Sequence, residues 1–386
     1  MNLDLTEQQL AFRDSAKAFA DKELKPFAAQ WDEDAFFPVD TIKKAAEMGF
    51  LALYVPEQWG SMGLSRLDSV MILEELARGC TATTAYMTIH NMATWMIASF
   101  GSDPLREHWC PKLVSGELLA SYCLTEPNAG SDAASLRTTA QRDGDSYVLN
   151  GSKMFISGAG STDVLVVMAR TGGPGPKGIS AFVVPADTPG ISYGRKERKM
   201  GWTSQPTRAI TFDNVRIPAA YLLGQEGEGF KFAMKGLDGG RINIATCSLG
   251  TAQAALDTAQ HYLLEREQFG KKLAEFQALQ FKLADMTTEL IAARQMVYLA
   301  AWKLDQQDPE ATVYSAMAKR FATDVGFNVC NEALQIHGGY GYIKEYPLER
   351  HVRDSRVHQI LEGTNEIMRV IIARRLLLEG ATEVIR

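Results

Sequence analysis

Hydrophobic and polar positions change their pattern twice along this chain. Leu10, Phe12, Ala16, Phe19 and Ala20 recur at helical intervals near the start. Thr6 and Gln9 have capping-box spacing, and Leu5 and Leu10 can form a hydrophobic staple. Pro26 kinks or ends that helix, because its ring clashes with the preceding turn and it has no N–H to donate. Similar patterns predict helices over 39–49, 67–78, 83–100 and 103–114. From 121 to 230 the pattern becomes short β-branched or aromatic runs: YVLNG from Tyr147, KMFISG from Lys153, VLVVMAR from Val164, ISAFVVP from Ile179 and AITFDNVRIP from Ala209. Glycine- and proline-rich turns separate them, as expected of an antiparallel all-β unit. After 230, long amphipathic patterns return over 240–268, 275–306 and 310–336. Asp308-Pro309 breaks them, and a last helix is predicted from Asn365 behind the Thr364 cap. Helices of this length, roughly 40 Å at 1.5 Å per residue, suit an antiparallel bundle broad enough for a subunit interface. The expected fold is mainly α with a central β domain: an N-terminal helical domain over 1–120, a middle β domain over 121–230 and a C-terminal helical bundle over 231–386.

The length of 386 residues agrees, since it allows about two or three domains. A formal net charge of -6, with 46 acidic against 40 basic side chains, leaves no footprint for gripping nucleic acid. A small anion held by two or three local arginines stays open. The five cysteines include no CxxC pair, which disfavours zinc and a disulfide framework. The first residues lack both a basic n-region and an unbroken apolar stretch, so a cytoplasmic protein or the mature form of a mitochondrial matrix protein is expected. No run of about 18 apolar residues suggests a membrane span.

No P-loop, nucleophile elbow or HExxH is present. Neither HGGYGY at 337–342 nor GAG at 158–160 completes GxGxxG, and the glycines after Ile336 read as a helix stop or as a cofactor loop. Glu362 lies between an apolar run, Val357 to Leu361, and a glycine just ahead of a helix. It reads as a helix-cap or surface residue or, in a dry site, as a carboxyl whose pKa rises until it is a usable base. His358, four residues earlier, could pair with it; a metal site lacks further ligands.

Four segments together carry a resemblance: YCLTEPNAGSD at 122–132, FISGAG at 155–160, REQFGKKLAEFQALQFKLADM at 266–286 and QIHGGYGYIKEYPLERHVRDSRVHQILEGTNEIMR at 335–369. They resemble the acyl-CoA dehydrogenases over nearly the whole chain. GLSRLDSV, TTAYMTIHNM, TGGPGPKGIS, GWTSQPTRA and GLDGGRINIATCSLG look most like the branch acting on isobutyryl-CoA, in valine breakdown. The resemblance implies a helical domain, a β-barrel domain and a four-helix bundle, with FAD as cofactor and α,β-dehydrogenation of an acyl-CoA. It implies Glu362 as the base, its backbone N–H joining a flavin hydroxyl as donors to the thioester oxygen. Some members carry the base at the position of Gly240, which cannot serve. Asp238 and Arg241 then resemble pantetheine contacts, Gly239 and Gly240 let backbone approach closely, Ser131 touches this arm or the cofactor phosphate, and Arg374 suits the nucleotide end.

For FAD, the matched residues are Tyr122, Leu124 and Thr125 beside the ring system, Ser131 near the pyrophosphate, and Phe155, Ile156 and Ser157 on the β face. From a neighbouring subunit would come Arg266, Phe269, Phe276, Gln277, Gln335, Gly338 and Gly339, while Thr364, Asn365 and Glu366 offer a helix N-terminus. The implied partners are electron-transfer flavoprotein and further copies of the chain in a homotetramer. Asn128 stands where many members have glycine, a place asparagine fills by adopting positive φ. Leu361 stands where several straight-chain enzymes have tyrosine, which alters pocket width. The neighbouring readings are a 2-methylbutyryl-CoA or straight short-chain enzyme, an acyl-CoA oxidase, and a non-catalytic helical assembly protein.

Overall fold

The computed structural model describes residues 5–377 and Ile385. The outer ends of the first and last expected zones, 1–4, 378–384 and 386, lie outside the described residues. Helix α1 (Glu7–Phe19) starts with the capping box: Thr6 Oγ1 accepts the Gln9 N–H at 3.2 Å, and Gln9 Oε1 accepts the Thr6 N–H at 3.0 Å. A π turn, Ala20–Leu24, widens the helix just before Pro26, and α2 (Ala28–Glu33) follows. Next come α3 (Val39–Glu47), α4 (Arg66–Gly79), α5 (Thr81–Phe100) and α6 (Asp103–Val114). Nearly every side of α5 is buried, which marks it as the central helix of this layer.

The middle of the chain forms one eight-stranded sheet from β1 (Ala120–Cys123), β2 (Thr139–Asp143), β3 (Ser146–Ser157), β4 (Val164–Arg170), β5 (Ile179–Pro185), β6 (Ile191–Tyr193), β7 (Thr207–Pro218) and β8 (Leu222–Leu223). The unit expected as a barrel has a pairing path with two ends, β6-β7-β3-β2-β4-β5-β8, and β1 attached to β4. The all-antiparallel expectation is corrected: β1 runs parallel to β4, with Ala120 opposite Val164. The β2–β3 hairpin lies between them in the chain and supplies the long crossover that parallel neighbours require. Tyr147 and Lys153 begin no separate strands; both lie in β3, whose register shifts after Leu149 and after Lys153. Gly151, at φ 143°, makes the first shift possible, since a Cβ there would lie 2.7 Å from Thr138 Cα.

Helix α7 (Gly229–Glu265) begins well ahead of the expected residue 240, running through Gly236, Gly239 and Gly240. Glycine weakens a free helix, but here close packing requires it: a Cβ on Gly250 would lie 2.2 Å from Glu74 O, and one on Gly229 2.2 Å from Ser180 C. A hairpin of β9 (Glu267–Gln268) and β10 (Lys271–Lys272) leads to α8 (Gln277–Asp305), α9 (Ala311–His337), α10 (Leu348–Arg356) and α11 (Asn365–Leu377). One buried cluster joins Ala93, Met96 and Ile97 of α5, Val166 and Met168 of β4 and Phe232 of α7, so helical layer, sheet and bundle share apolar core. No described helix is long and apolar enough to cross a membrane.

Candidate active site

Glu362 sits in the turn between α10 and α11 at φ 55°, followed by Gly363 at φ 87°. The residue is half-buried, yet its Oε2 is shut off from solvent with no hydrogen-bond partner. A Cβ on Gly240 would lie 2.4 Å from that oxygen, so the carboxylate rests on the bare backbone of α7. Burial pushes its pKa up to about 7, against the pull of Arg241 and then Lys319. The helix-cap reading therefore fails. The suggested pairing with His358 also fails, because His358 is buried with Nδ1 2.6 Å from Ser248 Oγ on α7.

Around this carboxylate the fold gathers distant segments. Arg241 donates to Asp238 Oδ1 at 2.7 Å, and Thr312 Oγ1 donates to Asp238 Oδ2 at 2.7 Å. Arg241 Nε and the Tyr122 hydroxyl are buried without partners. Burial, and then the charge of Glu362, push the Tyr122 phenol well above its ordinary value. Within the chain, Arg66 faces Gly239 and Glu362 faces Gly240. The structure thus brings Glu362, Tyr122, Asp238, Gly239, Gly240 and Arg241 together.

A second group lies on the β side. Ser121 Oγ donates to Ser157 O at 2.7 Å, and the Met154 N–H donates to Thr125 O at 2.9 Å, which sets β1 and its following turn against the end of β3. Leu124 and Ile156 are buried, whereas Phe155 is held at φ 59° and stands 62% exposed. Ser131 is exposed in the following turn. Asn128 is exposed too, and it is absent from the residues at positive φ, which corrects that expectation.

A third group collects at the far end of the bundle. Phe269, at φ 55° in the β9–β10 turn, is 93% exposed. Its ring lies 6.2 Å from Phe276, at the start of α8 beside Gln277. Arg266 lies over Tyr340 at 5.5 Å, in the turn after Gln335, Gly338 and Gly339. Thr364, Asn365 and Glu366 lie apart from this group, opening α11 directly after Glu362, and Arg374 is exposed further along that helix.

Family models match in chain order: the acyl-CoA dehydrogenase N-terminal domain over residues 6–117, the middle domain over 121–215 and the C-terminal domain over 227–377. The chain belongs to the acyl-CoA dehydrogenase family. Mitochondrial isobutyryl-CoA dehydrogenase of Bos taurus is 56% identical over 378 residues, 98% of this chain and 91% of that protein. Its Dictyostelium discoideum counterpart is 53% identical over 376 residues, 97% and 90% of the two chains. The solved butyryl-CoA dehydrogenase from Megasphaera elsdenii superposes with TM-score 0.95 at 41% identity, over 98% of this chain and 100% of that one.

This acyl-CoA dehydrogenase is therefore an oxidoreductase acting on acyl-CoA thioesters with FAD as its cofactor. Its residues fit that group. An apolar and aromatic β face, with the partnerless buried Tyr122 Oη on β1, meets α7 and the α10–α11 turn, which carry the partnerless buried Arg241 Nε and Glu362 Oε2. A flat, polar-edged ring system supplies partners of both kinds. Among the described residues no cluster could hold a metal ion.

Two buried lysines were missed in the sequence. Lys319 on α9 donates to Gly363 O at 2.7 Å and to Asn365 Oδ1 at 2.9 Å, pinning the turn that carries Glu362. Lys153 on β3 donates to Leu124 O at 3.1 Å and Glu126 Oε1 at 2.8 Å, and Glu126 accepts the N–H groups of Arg137 and Thr138. A lysine among apolar residues at helical or strand spacing is the only signal the sequence offers, and solvated lysines give the same pattern.

Proposed function

We propose that this enzyme oxidises a short branched acyl-CoA, isobutyryl-CoA to methacrylyl-CoA, with Glu362 removing the α-proton. The observation that carries the base assignment is the sealed, partnerless Oε2 of Glu362 against Gly240. The 56% and 53% identical relatives support the substrate.

The α C–H of a thioester is a very weak acid, so its removal needs a base that has already lost its own water shell and an electrophile at the carbonyl oxygen. Glu362 meets the first need: burial raises its affinity for the proton, and Arg241 and Lys319 keep enough of it ionised to act near neutral pH. Its backbone N–H, offered to the thioester oxygen, meets the second. The Cα–H bond breaks toward Glu362, the Cβ–H bond leaves with its electron pair, and the α,β double bond forms. FAD, when bound, supplies the two-electron sink for that hydride. Asp238 and Arg241, already paired, orient the pantetheine arm with Gly239, Gly240 and Ser131, and Arg374 takes the nucleotide end. Tyr122, Leu124, Thr125, Ser131, Phe155, Ile156 and Ser157 would hold the flavin, with Thr364, Asn365 and Glu366 at the helix terminus.

The reading extends to assembly. Phe269 faces outward from a left-handed turn, and Phe281, Ile291 and Trp302 of α8 are 60%, 50% and 47% exposed. These surfaces support a homotetramer in which Arg266, Phe269, Phe276, Gln277, Gln335, Gly338 and Gly339 reach a neighbour's cofactor. Residues 1–120, 121–230 and 231–386 act as its three domains, electron-transfer flavoprotein is the acceptor, and the location is a bacterial cytoplasm or a mitochondrial matrix. Anaerobic mixing with isobutyryl-CoA tests the reading: flavin absorbance bleaches in the parent, while Glu362→Gln binds the thioester without bleaching. Fast bleaching in that variant would remove Glu362 from the role.

A further inference from the structure

From the Glu362 carboxylate, α7 can be followed in two directions. Toward its N-terminal end lie Gly239, faced by Arg66, and Gly236, faced by Met92 and Met96 of α5, whose Sδ atoms stand 3.7 and 3.4 Å from a Cβ built there. Bare backbone, flexible thioethers and the long Arg66 side chain, all of which can give way, border this side, where Asp238 also sits. Toward the C-terminal end, one turn beyond Gly240, stand Ile244 and then Cys247. Both belong to a buried cluster with Tyr86 and Met87 of α5 and Trp202 of the β6–β7 loop. Leu361, the residue before the base, and Val357 pack against the same cluster. If Asp238 and Arg241 hold the pantetheine arm as proposed, the acyl group reaches Glu362 from this glycine side, and the apolar cluster lies beyond it.

Trp202 is the exceptional member of that wall. A bulky residue rarely adopts positive φ, yet Trp202 sits at φ 53° and is only 5% exposed. Surrounding contacts hold it there. Its backbone N–H donates to Asp354 Oδ1 at 2.6 Å, and its ring lies 5.5 Å from His358. A Cβ on the adjacent Gly201 would lie 2.4 Å from Arg353 O, so the loop is pressed directly onto α10. Thr203 Oγ1 donates to Asp32 on α2, a second clamp one residue further on. The loop spends backbone strain to carry one indole into the buried cluster against which Leu361, the residue before Glu362, packs.

We propose that Trp202 closes the far end of the acyl pocket and sets the length of chain the enzyme accepts. A short branched acyl group ends before the indole, whereas each further methylene of a straight chain runs into it. The inference rests on the proposed function for the direction of entry, and it adds the residue that makes the pocket short.

The test compares flavin reduction by isobutyryl-, butyryl-, hexanoyl- and octanoyl-CoA in the parent, Trp202→Ala and Trp202→Leu. The leucine variant keeps apolar volume and serves if the alanine variant does not load FAD. The hexanoyl to isobutyryl ratio of kcat/KM should rise by about tenfold or more, the discrimination one or two methylenes carry in an apolar pocket. An unchanged chain-length profile in FAD-loaded Trp202→Leu and Trp202→Ala overturns the proposal. If isobutyryl-CoA fails to bleach the parent, the substrate reading falls, while the straight-chain series still decides the role of Trp202.

Discussion

Replacing Lys319 with methionine tests whether a buried cation tunes the base. The change keeps most of the side-chain volume and removes an ammonium that donates to Gly363 O at 2.7 Å and Asn365 Oδ1 at 2.9 Å. Glu362 is pushed up to about 7 by burial, with Arg241 and Lys319 opposing; Lys319 is itself pushed down to about 7 by burial, with Glu362 opposing. The two titrate as a pair. The other charged and titratable groups of this setting are Arg241 on α7, Tyr122 on β1, Asp324 on α9, Glu366 on α11 and the buried His358. A nearby opposite charge is worth about 1 to 3 in pKa. With Arg241 left in place, the lower end applies, and Glu362 should move up by about 1. A base acts when ionised, so activity rises with pH through its pKa. At pH 7 the ionised fraction should therefore fall from about a half to about a tenth, a roughly fivefold loss that raising the pH by about 1 restores. The orphaned Gly363 carbonyl should cost about 1 to 3 kcal/mol of stability as well. The assay is the pH dependence of anaerobic flavin reduction, with FAD content and Tm measured alongside. A fully loaded Lys319→Met enzyme whose acid limb stays where the parent's lies would refute the electrostatic role and leave Lys319 a purely structural anchor.

Two further outcomes follow from the same geometry. Gly240→Ala places a methyl where Glu362 Oε2 now lies, 2.4 Å away; kcat should fall about a hundredfold with FAD binding retained, because small displacement of a reacting group is that costly. Unchanged turnover would show the carboxylate has room to move. Lys153→Met leaves the buried Glu126 without its cation, which should lower stability by about 3 to 5 kcal/mol in denaturant unfolding; adding Glu126→Gln should recover part of it, and a single variant as stable as the parent would contradict the pairing.

The parts of this fold that were legible beforehand depend on near neighbours in the chain. The Thr6–Gln9 capping box, the helices over Val39–Glu47, Arg66–Gly79 and Asp103–Val114, and the long α9 all follow from patterns repeating within a turn or two. The polar strand Thr139–Asp143 escaped notice because only Ala140 is buried, so it shows no alternation. The start of α7 escaped because its glycines signal a break, and what outweighs that signal is packing of Gly229, Gly239 and Gly240 against Ser180, Arg66 and Glu362.

The site divides in the same way. Glu362 could be singled out from its neighbours and from resemblance, as could most residues around it. Its dryness could not be read, because that depends on Gly240, Tyr122 and Lys319 arriving from three other segments. Trp202 is similar: the sequence places a tryptophan between two β runs, and only the fold turns it into the core at positive φ. The sequence alone determined the family and the order of its helical and β regions and singled out the carboxylate proposed as the base, since these are local or carried by motifs. Tertiary structure decided which charges are buried and which apolar groups meet around that carboxylate, because desolvation and steric closure arise only when distant segments pack together.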